Sequence, residues 1–382
     1  MEAARIELRL SRFVVVSLVF MALARLAFAL VDLHHTGFFW DLDVYSRAVE
    51  VRQAGGDPYS TSERLLFVYH PLILDAMSVF GDKLTRLLTF LYLIVVFTFA
   101  RAAATQGFTW EVFLALGYGA MGLDAAATGN LTTFMHLALL TLILGGLTQP
   151  SARHGFILLV ALFSAVKPYL AIYALLPFVL SHARGESWRP LLGWAVGAFS
   201  TVALALLSYS LFDPDRVALF LAALNAQTLV KGDLGFGFGY FINLALDGNW
   251  VGAVIGHMVI AIAISWVTIR RFHGRIADPV TYALLLYLLL SLFNPRLKLY
   301  DVAPMLFALF VLFRVGAPTR WGEWLFLGAY AMSPLYLLFA WYQVQIPVLN
   351  DPAYGFHVTL IGVFLMAYHG LSRTRGDGLR AT

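Results

Sequence analysis

The amino-acid sequence predicts an all-α, polytopic membrane protein. Of its 382 residues, 60% are hydrophobic and 13% are charged, and the mean hydropathy is +0.78. Its apolar runs are repeatedly long enough to cross a hydrocarbon layer about 30 Å thick. The sequence has no alternating pattern of membrane barrel strands, no long internal repeat and no polar low-complexity linker. We therefore expect one integral membrane domain.

Apolar runs recur along the whole chain. They lie at about 13–31, 84–101, 110–126, 130–147, 155–181, 190–212, 250–271, 278–293, 299–314, 321–342 and 355–371. If each run crossed once, the basic clusters around Arg189 and at 270–275 would face outward, against the positive-inside rule. The run at 155–181 carries Lys167 and Pro168 near its centre, and a proline there interrupts a helix. Dividing this run predicts about 12 transmembrane helices, with both termini and the basic clusters in the cytoplasm.

Two long stretches are then predicted to face outward, at about 32–83 and 213–249. The first is far longer than a simple connection requires, and loops of that length commonly carry function. Its segment VYSRAVEVRQAGG, at 44–56, has apolar residues at helical spacing and ends in a Gly-Gly pair. We expect a short amphipathic helix there, lying on the membrane surface.

Charge and cysteine content argue against several classes of function. The formal net charge of +4 arises from short basic clusters at the ends of apolar runs, a pattern that sets membrane orientation. This pattern disfavours nucleic acid as a partner. The chain has no cysteine, which excludes disulfides, thiolate metal ligands and thiol nucleophiles.

Asp41 and Asp43 lie at the predicted membrane–water boundary, directly after Phe38, Phe39 and Trp40. They are either solvated interface residues beside an aromatic belt, or one of them is a general base that takes a proton from an acceptor hydroxyl. Helix residues two positions apart point about 200° from each other, so only one of the two aspartates can face a cavity.

Three cations lie in the outward half of otherwise apolar segments. Lys167 is inside an apolar run, where an ammonium group requires a cavity, an anion or a route to the interface. Arg296 and Lys298 are at the outer end of a later run, either as an ordinary interface pair or as part of a binding site. Together the three predict a site for an anionic lipid headgroup, because arginine grips phosphate oxygens and lysine adds a point charge.

Six short motifs follow one another in an order that is typical of a known family. They are DLDVY (41–45), GGDPY (55–59), FVYHP (67–71), TGNLTTF (128–134), AVKPYLAIYALLP (165–177) and NPRLKLYD (294–301). This order resembles glycosyltransferase family 87, whose members are membrane mannosyltransferases of the GT-C fold that use polyprenyl-phosphate-mannose. Family members often have a tryptophan and paired histidines where this chain has LKLYD. Arg296 and Lys298 would then replace histidine contacts to phosphate.

The resemblance implies one GT-C domain over 1–382 whose first outward loop carries the catalytic base, which falls on Asp41. It implies an inverting, metal-independent transfer without a cofactor, from a polyprenyl-phosphate-sugar donor to a lipid or glycan acceptor. The site would face the outer side of the bacterial inner membrane. We expect Lys167, Arg296 and Lys298 to bind the donor phosphate. Residues expected to contact the sugar or the acceptor are Asp43, Tyr45, Tyr69, His70, Asn130, Tyr300 and Asp301.

A membrane transporter or flippase, of lipid-linked glycans or of anionic solutes, is the alternative. A cation and a helix break at membrane depth also occur at solute sites. Transporters commonly have two related halves, whereas the acidic loop at 32–83 has no counterpart at 213–249. The sequence therefore favours the transferase, with the sugar and the acceptor left open.

Overall fold

The computed structural model describes residues 11–60, 66–118, 123–147, 149–227, 237–246, 248–272, 278–294, 296–315, 320–341, 361 and 364–365. Every regular element in these ranges is helical. The helices are α1 (Arg12–Thr36), α2 (Trp40–Gln53), α3 (Pro71–Ser78), α4 (Leu84–Thr105), α5 (Thr109–Leu116), α6 (Leu123–Ala127), α7 (Leu131–Gly145), α8 (Pro150–Val166), α9 (Leu175–Ala183), α10 (Arg189–Phe212), α11 (Pro214–Asn225), α12 (Phe238–Ala245), α13 (Trp250–Phe272), α14 (Pro279–Ser291), α15 (Leu299–Val315) and α16 (Arg320–Trp341). Short 3₁₀ turns at Gly81–Lys83 and Pro168–Ala174 precede α4 and α9.

Several of these helices can cross a membrane. Within the described ranges, four stretches are long and apolar enough to do so by length and composition: Arg12–Val31, Gly81–Thr105, Arg189–Phe212 and Val251–Arg271. Shorter apolar helices cover Leu131–Gly145, Pro150–Val166, Pro168–Ala183 and Pro279–Ser291. The chain is thus a helical membrane protein, as its composition predicts. The larger number of crossings stays a prediction, and the predicted run at 355–371 lies almost wholly outside the described residues.

The core of the bundle is built around α14 and α15. Nearly every side chain of α14 is buried, and α15 contributes an unbroken run of buried residues from Met305 to Phe313. By contrast, α4, α10 and α13 expose large apolar side chains such as Phe97, Leu204 and Ile262. Exposed apolar surface of this extent is unfavourable in water and is suited to contact with hydrocarbon.

The helix break predicted at Lys167 and Pro168 is present. α8 ends at Val166, and Lys167 has an extended backbone with φ −133° and ψ 94°. The 3₁₀ turn that begins at Pro168 then leads into α9. Proline lacks a backbone donor and disfavours helix at the residue before it, so the local sequence accounts for the break. Lys167 consequently lies where two helical segments meet.

The first long loop folds into α2 and α3, so the helix predicted at 44–56 is present. α2 begins at Trp40 and ends before Gly55, whose φ of +79° is typical of glycine just after a helix. The sequence predicts that the apolar face of α2 lies on the membrane surface, and this prediction is wrong. Tyr45 and its buried neighbours pack instead against Phe67 and α3 in a small second core. Contact with protein removes this face from lipid and water alike.

Candidate functional site

Asp41 lies in the first turn of α2, which is joined to the turn before α7. The preceding Phe39 has φ 62°, the one positive φ of a non-glycine residue in the part of the chain that the structure describes. The Phe39 amide donates to the Ala127 carbonyl at 2.7 Å, and the Asp41 amide donates to the Thr128 carbonyl at 3.0 Å. A left-handed phenylalanine costs about 1–2 kcal/mol. The surrounding contacts must therefore hold the chain in this shape.

Asn130 orients the Asp41 carboxylate. Its Oδ1 caps α7 by accepting a backbone N–H of the first turn at 2.8 Å, which directs its Nδ2 to Asp41 Oδ2 at 2.9 Å. The adjacent Gly129 has φ +70°, and a Cβ at this position would lie 3.0 Å from atoms of Phe39 and Leu42. The close approach of α2 to this turn therefore requires glycine.

The two aspartates of DLDVY point in different directions, as helix geometry predicts. Asp41 is half-buried, whereas Asp43 is on the exposed face of α2. Burial raises the pKa of Asp41 above its ordinary value, against the opposing effects of the Asn130 hydrogen bond and the Lys167 charge. A carboxylate in this setting holds a proton more readily than one in water.

The helix break brings Lys167 to the same place. Its Nζ lies 4.6 Å from the ring centroid of Tyr69, which is a cation–π contact. The ammonium group is also close enough to Asp41, Asp301 and Arg296 for direct electrostatic interaction. The carboxylate predicted to be a base and two cations predicted to bind phosphate thus belong to one charged cluster.

Tyr45 and Tyr69 form a wall beside this cluster. Their hydroxyls lie 3.0 Å apart, and the Tyr45 hydroxyl accepts the Leu131 amide at 3.3 Å. The Tyr59 hydroxyl donates to the Tyr69 carbonyl at 3.1 Å. Tyr45 is 3% exposed and Tyr69 is 4% exposed. The sequence predicts that both contact the sugar or the acceptor, but the packing of α2 buries them and their hydroxyls are bonded within the protein.

His70 is a capping residue. Its Nδ1 accepts the Leu72 amide at the start of α3 at 3.2 Å, and its Nε2 lies 3.3 Å from the Ser210 hydroxyl. Its ring packs against Tyr209 and Phe220. Burial lowers the pKa of His70, which favours the neutral ring that a cap requires. His70 thus links α3 to α10, and its contact with the sugar or the acceptor stays a prediction.

Arg296, Lys298 and Tyr300 are half-buried in the segment that leads into α15. The Arg296 amide donates to the Asn294 side chain at 3.1 Å, which shapes the turn. Tyr300 is close enough to Arg296 and Asp41 for electrostatic interaction. This segment therefore borders the charged cluster.

Asp301 belongs to a buried network. It is 2% exposed and accepts hydrogen bonds from the Tyr169 hydroxyl at 2.5 Å and the Lys298 amide at 2.8 Å. His136 Nε2 lies 3.3 Å from the same carboxylate. The sequence predicts that Asp301 contacts the sugar or the acceptor. That prediction needs correction, because α7, the Pro168–Ala174 turn and α15 close around the side chain.

Sequence reasoning missed His136 and Tyr169. His136 is 1% exposed in the middle of α7, and a histidine inside an apolar run is a signal that could have found it. Tyr169 follows Lys167 and Pro168 directly, so the geometry of the helix break determines where its ring points. Neither position was predicted to contribute to the site.

A second group of charges joins the two long loops that the sequence predicts at 32–83 and 213–249. Asp75 on α3 pairs with Arg52 of α2 at 3.2 Å and with Arg216 of α11 at 3.0 Å. Burial tends to raise the pKa of Asp75, but the Tyr209 hydroxyl and the two arginines outweigh this effect and leave the pKa below its ordinary value. The group therefore stabilises the packing of α2, α3 and α11 on one another.

The charged cluster has the groups needed to accept a proton and to bind an anion. In the described ranges, no set of three or more His, Asp or Glu side chains is placed to hold a metal ion. Neither a protein-family model nor a curated protein matches this chain. The resemblance to glycosyltransferase family 87 therefore depends on the order of the sequence motifs alone. Residues from separate motifs that lie around Asp41 and Lys167 are Tyr69, Asn130 and Arg296.

Proposed function

We propose that this chain is a membrane glycosyltransferase of the GT-C type. It transfers a hexose, mannose in the family that it resembles, from a polyprenyl-phosphate donor to a hydroxyl of a lipid-linked or glycan acceptor. The observation that supports this most directly is the juxtaposition of two opposite charges. A half-buried carboxylate, Asp41, is oriented by Asn130 beside the ammonium group that the helix break presents at Lys167.

The reaction needs these two kinds of group. The acceptor oxygen attacks the anomeric carbon on the face opposite the phosphate, and the bond from that carbon to the phosphate oxygen breaks. Positive charge develops on the sugar ring, the electron pair leaves with the phosphate, and the acceptor proton must go to a base. The products are the inverted glycoside and polyprenyl phosphate.

Asp41 is the base in this proposal. Asn130 holds Oδ2 at 2.9 Å, and we assign Oδ1 as the atom that takes the proton. Because burial raises the pKa of Asp41, the carboxylate is a stronger proton acceptor than a fully solvated one. A positioned base typically contributes about 10²- to 10⁴-fold in rate.

Lys167, Arg296 and Lys298 hold the donor phosphate. Lys167 and Arg296 are close enough to interact electrostatically, and their mutual repulsion is relieved when an anion lies between them. Arginine offers paired N–H donors to phosphate oxygens, and lysine adds mobile charge as the leaving group forms. Fixed charges in a site with little water stabilise such a leaving group strongly.

The proposal includes an orientation. One domain over 1–382 crosses the bacterial inner membrane about 12 times, with both termini in the cytoplasm and the charged cluster facing outward. The bilayer, the lipid-linked donor and the acceptor are then its partners. In this topology the loops that carry Asp41 and Asp75 face away from the side of the basic clusters.

The test compares two neighbouring carboxylates. Membranes that contain the full-length protein receive a radiolabelled polyprenyl-phosphate-hexose, and the formation of polyprenyl phosphate and of a labelled glycoside is measured. Asp41→Asn keeps the size and most hydrogen bonding of the side chain but cannot accept the proton, so turnover falls by about 10²-fold or more. Asp43→Asn, the comparison variant on the exposed face of α2, should lower turnover far less than Asp41→Asn does. Wild-type turnover by Asp41→Asn would refute the proposed base.

A transporter or flippase remains the second candidate, because a cation at a helix break is also found at solute sites. It is distinguished by its products. Proteoliposomes with a flippase move the labelled lipid between leaflets and form no new glycosidic bond. A labelled glycoside that depends on Asp41 supports the transferase, whereas lipid movement without any glycoside supports the flippase.

A further inference from the structure

Asp301 is held from three directions inside the bundle. Tyr169 in the 3₁₀ turn donates to Oδ1 at 2.5 Å, and the Lys298 amide donates to Oδ2 at 2.8 Å. His136 on α7 presents Nε2 to Oδ1 at 3.3 Å. Each of these partners can donate a hydrogen bond to the carboxylate. These three contacts fix the position of the Asp301 carboxylate.

The network extends away from the carboxylate into the core. The Tyr287 hydroxyl lies 2.7 Å from His136 Nδ1, and Nε2 of the same ring faces Asp301. The Tyr173 ring stacks on Tyr287 with centroids 5.2 Å apart. The ring of His136 is therefore fixed in position by contacts with Tyr287, Tyr173 and Asp301. The Asp301 side chain, which this ring and two further donors hold, cannot turn toward a ligand. Any influence of Asp301 on a substrate must therefore act through its charge.

This charge belongs to the donor site of the proposed function. Asp301 attracts Lys167 and Lys298. Three cations and two carboxylates, the second being Asp41, then share the cluster. The cluster carries one net positive charge while all five groups are ionised, and it would carry two without Asp301.

We propose that Asp301 is a specificity-determining residue that matches the charge of the donor site to a phosphodiester. This inference rests on the proposed function. A lipid-phosphate-sugar is a phosphodiester with a single negative charge, whereas a lipid phosphomonoester carries about −1.5 to −2 at neutral pH and a diphosphate carries more. With Asp301 in place, the more highly charged lipids lose affinity relative to the diester. The product of transfer is such a monoester, so Asp301 also favours its release.

The experiment measures relative affinities, which a purely structural role would not change. The purified full-length protein in detergent is titrated with three probes that share a farnesyl tail: methyl farnesyl phosphate, farnesyl phosphate and farnesyl diphosphate. The readout is the ratio of the diester Kd to the Kd of each more highly charged probe. One unit charge acting over about 8–10 Å at an effective dielectric constant of about 20–40 changes affinity roughly ten-fold. Asp301→Asn should therefore raise the monoester ratio by up to about ten-fold and the diphosphate ratio by more, since the diphosphate carries more charge.

Two variants separate charge from structure. Asp301→Glu keeps the charge, and Tyr169→Phe removes one hydrogen bond to Asp301 while keeping its charge. Both should leave the ratios within about two-fold of wild type, even if every probe binds more weakly. Equal weakening of all three probes by Asp301→Asn, with unchanged ratios, would overturn the inference.

A third variant covers the case in which Asp301→Asn does not fold. Lys298→Met removes a cation from a half-buried position, so the ratios should move in the opposite direction, in favour of the diester. Unchanged ratios in Lys298→Met would again overturn the inference. If the wild-type protein binds none of the three probes, the proposed donor site itself is wrong. That outcome is distinct from a site that binds all three without charge selection.

Discussion

Replacement of Gly129 by alanine tests the junction between α2 and α7, on which the placement of Asp41 depends. Gly129 has φ +70°, and an added Cβ would lie 3.0 Å from Leu42 Cγ and from Phe39 Cβ and Cδ1. The left-handed backbone costs an alanine about 1–2 kcal/mol. Overpacking against two side chains adds about 1–3 kcal/mol. We therefore expect Gly129→Ala to lower the free energy of unfolding by about 2–5 kcal/mol.

The backbone around Phe39, which faces Gly129, cannot easily move away. Phe39 already has a left-handed backbone, and its amide is bonded to the Ala127 carbonyl at 2.7 Å. If α2 and the 127–130 turn move apart to admit the methyl group, the neighbouring 2.9 Å hydrogen bond between Asn130 and Asp41 is disturbed. Activity should therefore fall by more than the fraction of protein that unfolds.

The assay is reversible unfolding of the purified protein in detergent, followed by its helical signal, together with donor turnover by the folded fraction. Gly155→Ala in α8 is the matched control, since a Cβ there meets nothing within 4 Å. It should be neutral or stabilising by up to about 1 kcal/mol. A Gly129→Ala protein as stable and as active as Gly155→Ala would refute the close packing of α2 on the 127–130 turn.

Three further predictions concern protonation and orientation. Activity should fall as the pH drops through the raised pKa of Asp41. The hydrogen bond from Asn130 lowers this pKa, so its loss should raise the pKa further. Asn130→Ser, which keeps a helix cap but loses the amide donor, should therefore shift the acid limb of the pH profile to higher pH. Asp75→Asn should cost up to about 1 kcal/mol at neutral pH, since the group is partly screened by solvent. The pKa of Asp75 is lower in the folded protein than in the unfolded chain. The loss of stability in Asp75→Asn should therefore be complete above the pKa of the unfolded state, about 3.9, and should disappear below the pKa of the folded state. In this cysteine-free chain, Ser60→Cys should react with an impermeant maleimide from outside and Ser187→Cys only after permeabilisation; labelling of Ser187→Cys in intact cells would contradict the orientation.

Local sequence was sufficient to predict several features of this protein. The all-helical class follows from the length and frequency of apolar runs. The break at Lys167 follows from Pro168, and the end of α2 follows from Gly55. The divergence of Asp41 and Asp43 follows from helix geometry. Each of these features depends on residues within a few positions of one another, where steric and hydrogen-bonding preferences of the backbone act directly.

The roles of individual side chains were decided by tertiary structure. Asn130 is 89 positions from Asp41, and His136 is 165 positions from Asp301, so no local pattern could pair them. The motif NPRLKLYD predicts an accessible Asp301, because the sequence alone does not show how deeply a turn is buried. Burial and the choice of hydrogen-bond partner depend on which helices pack together, and a buried polar group must take the partners that the packing supplies. The sequence by itself therefore determined the helical class, the break at Lys167 and the end of α2, whereas only the packed bundle decided which charged groups face one another and which are enclosed.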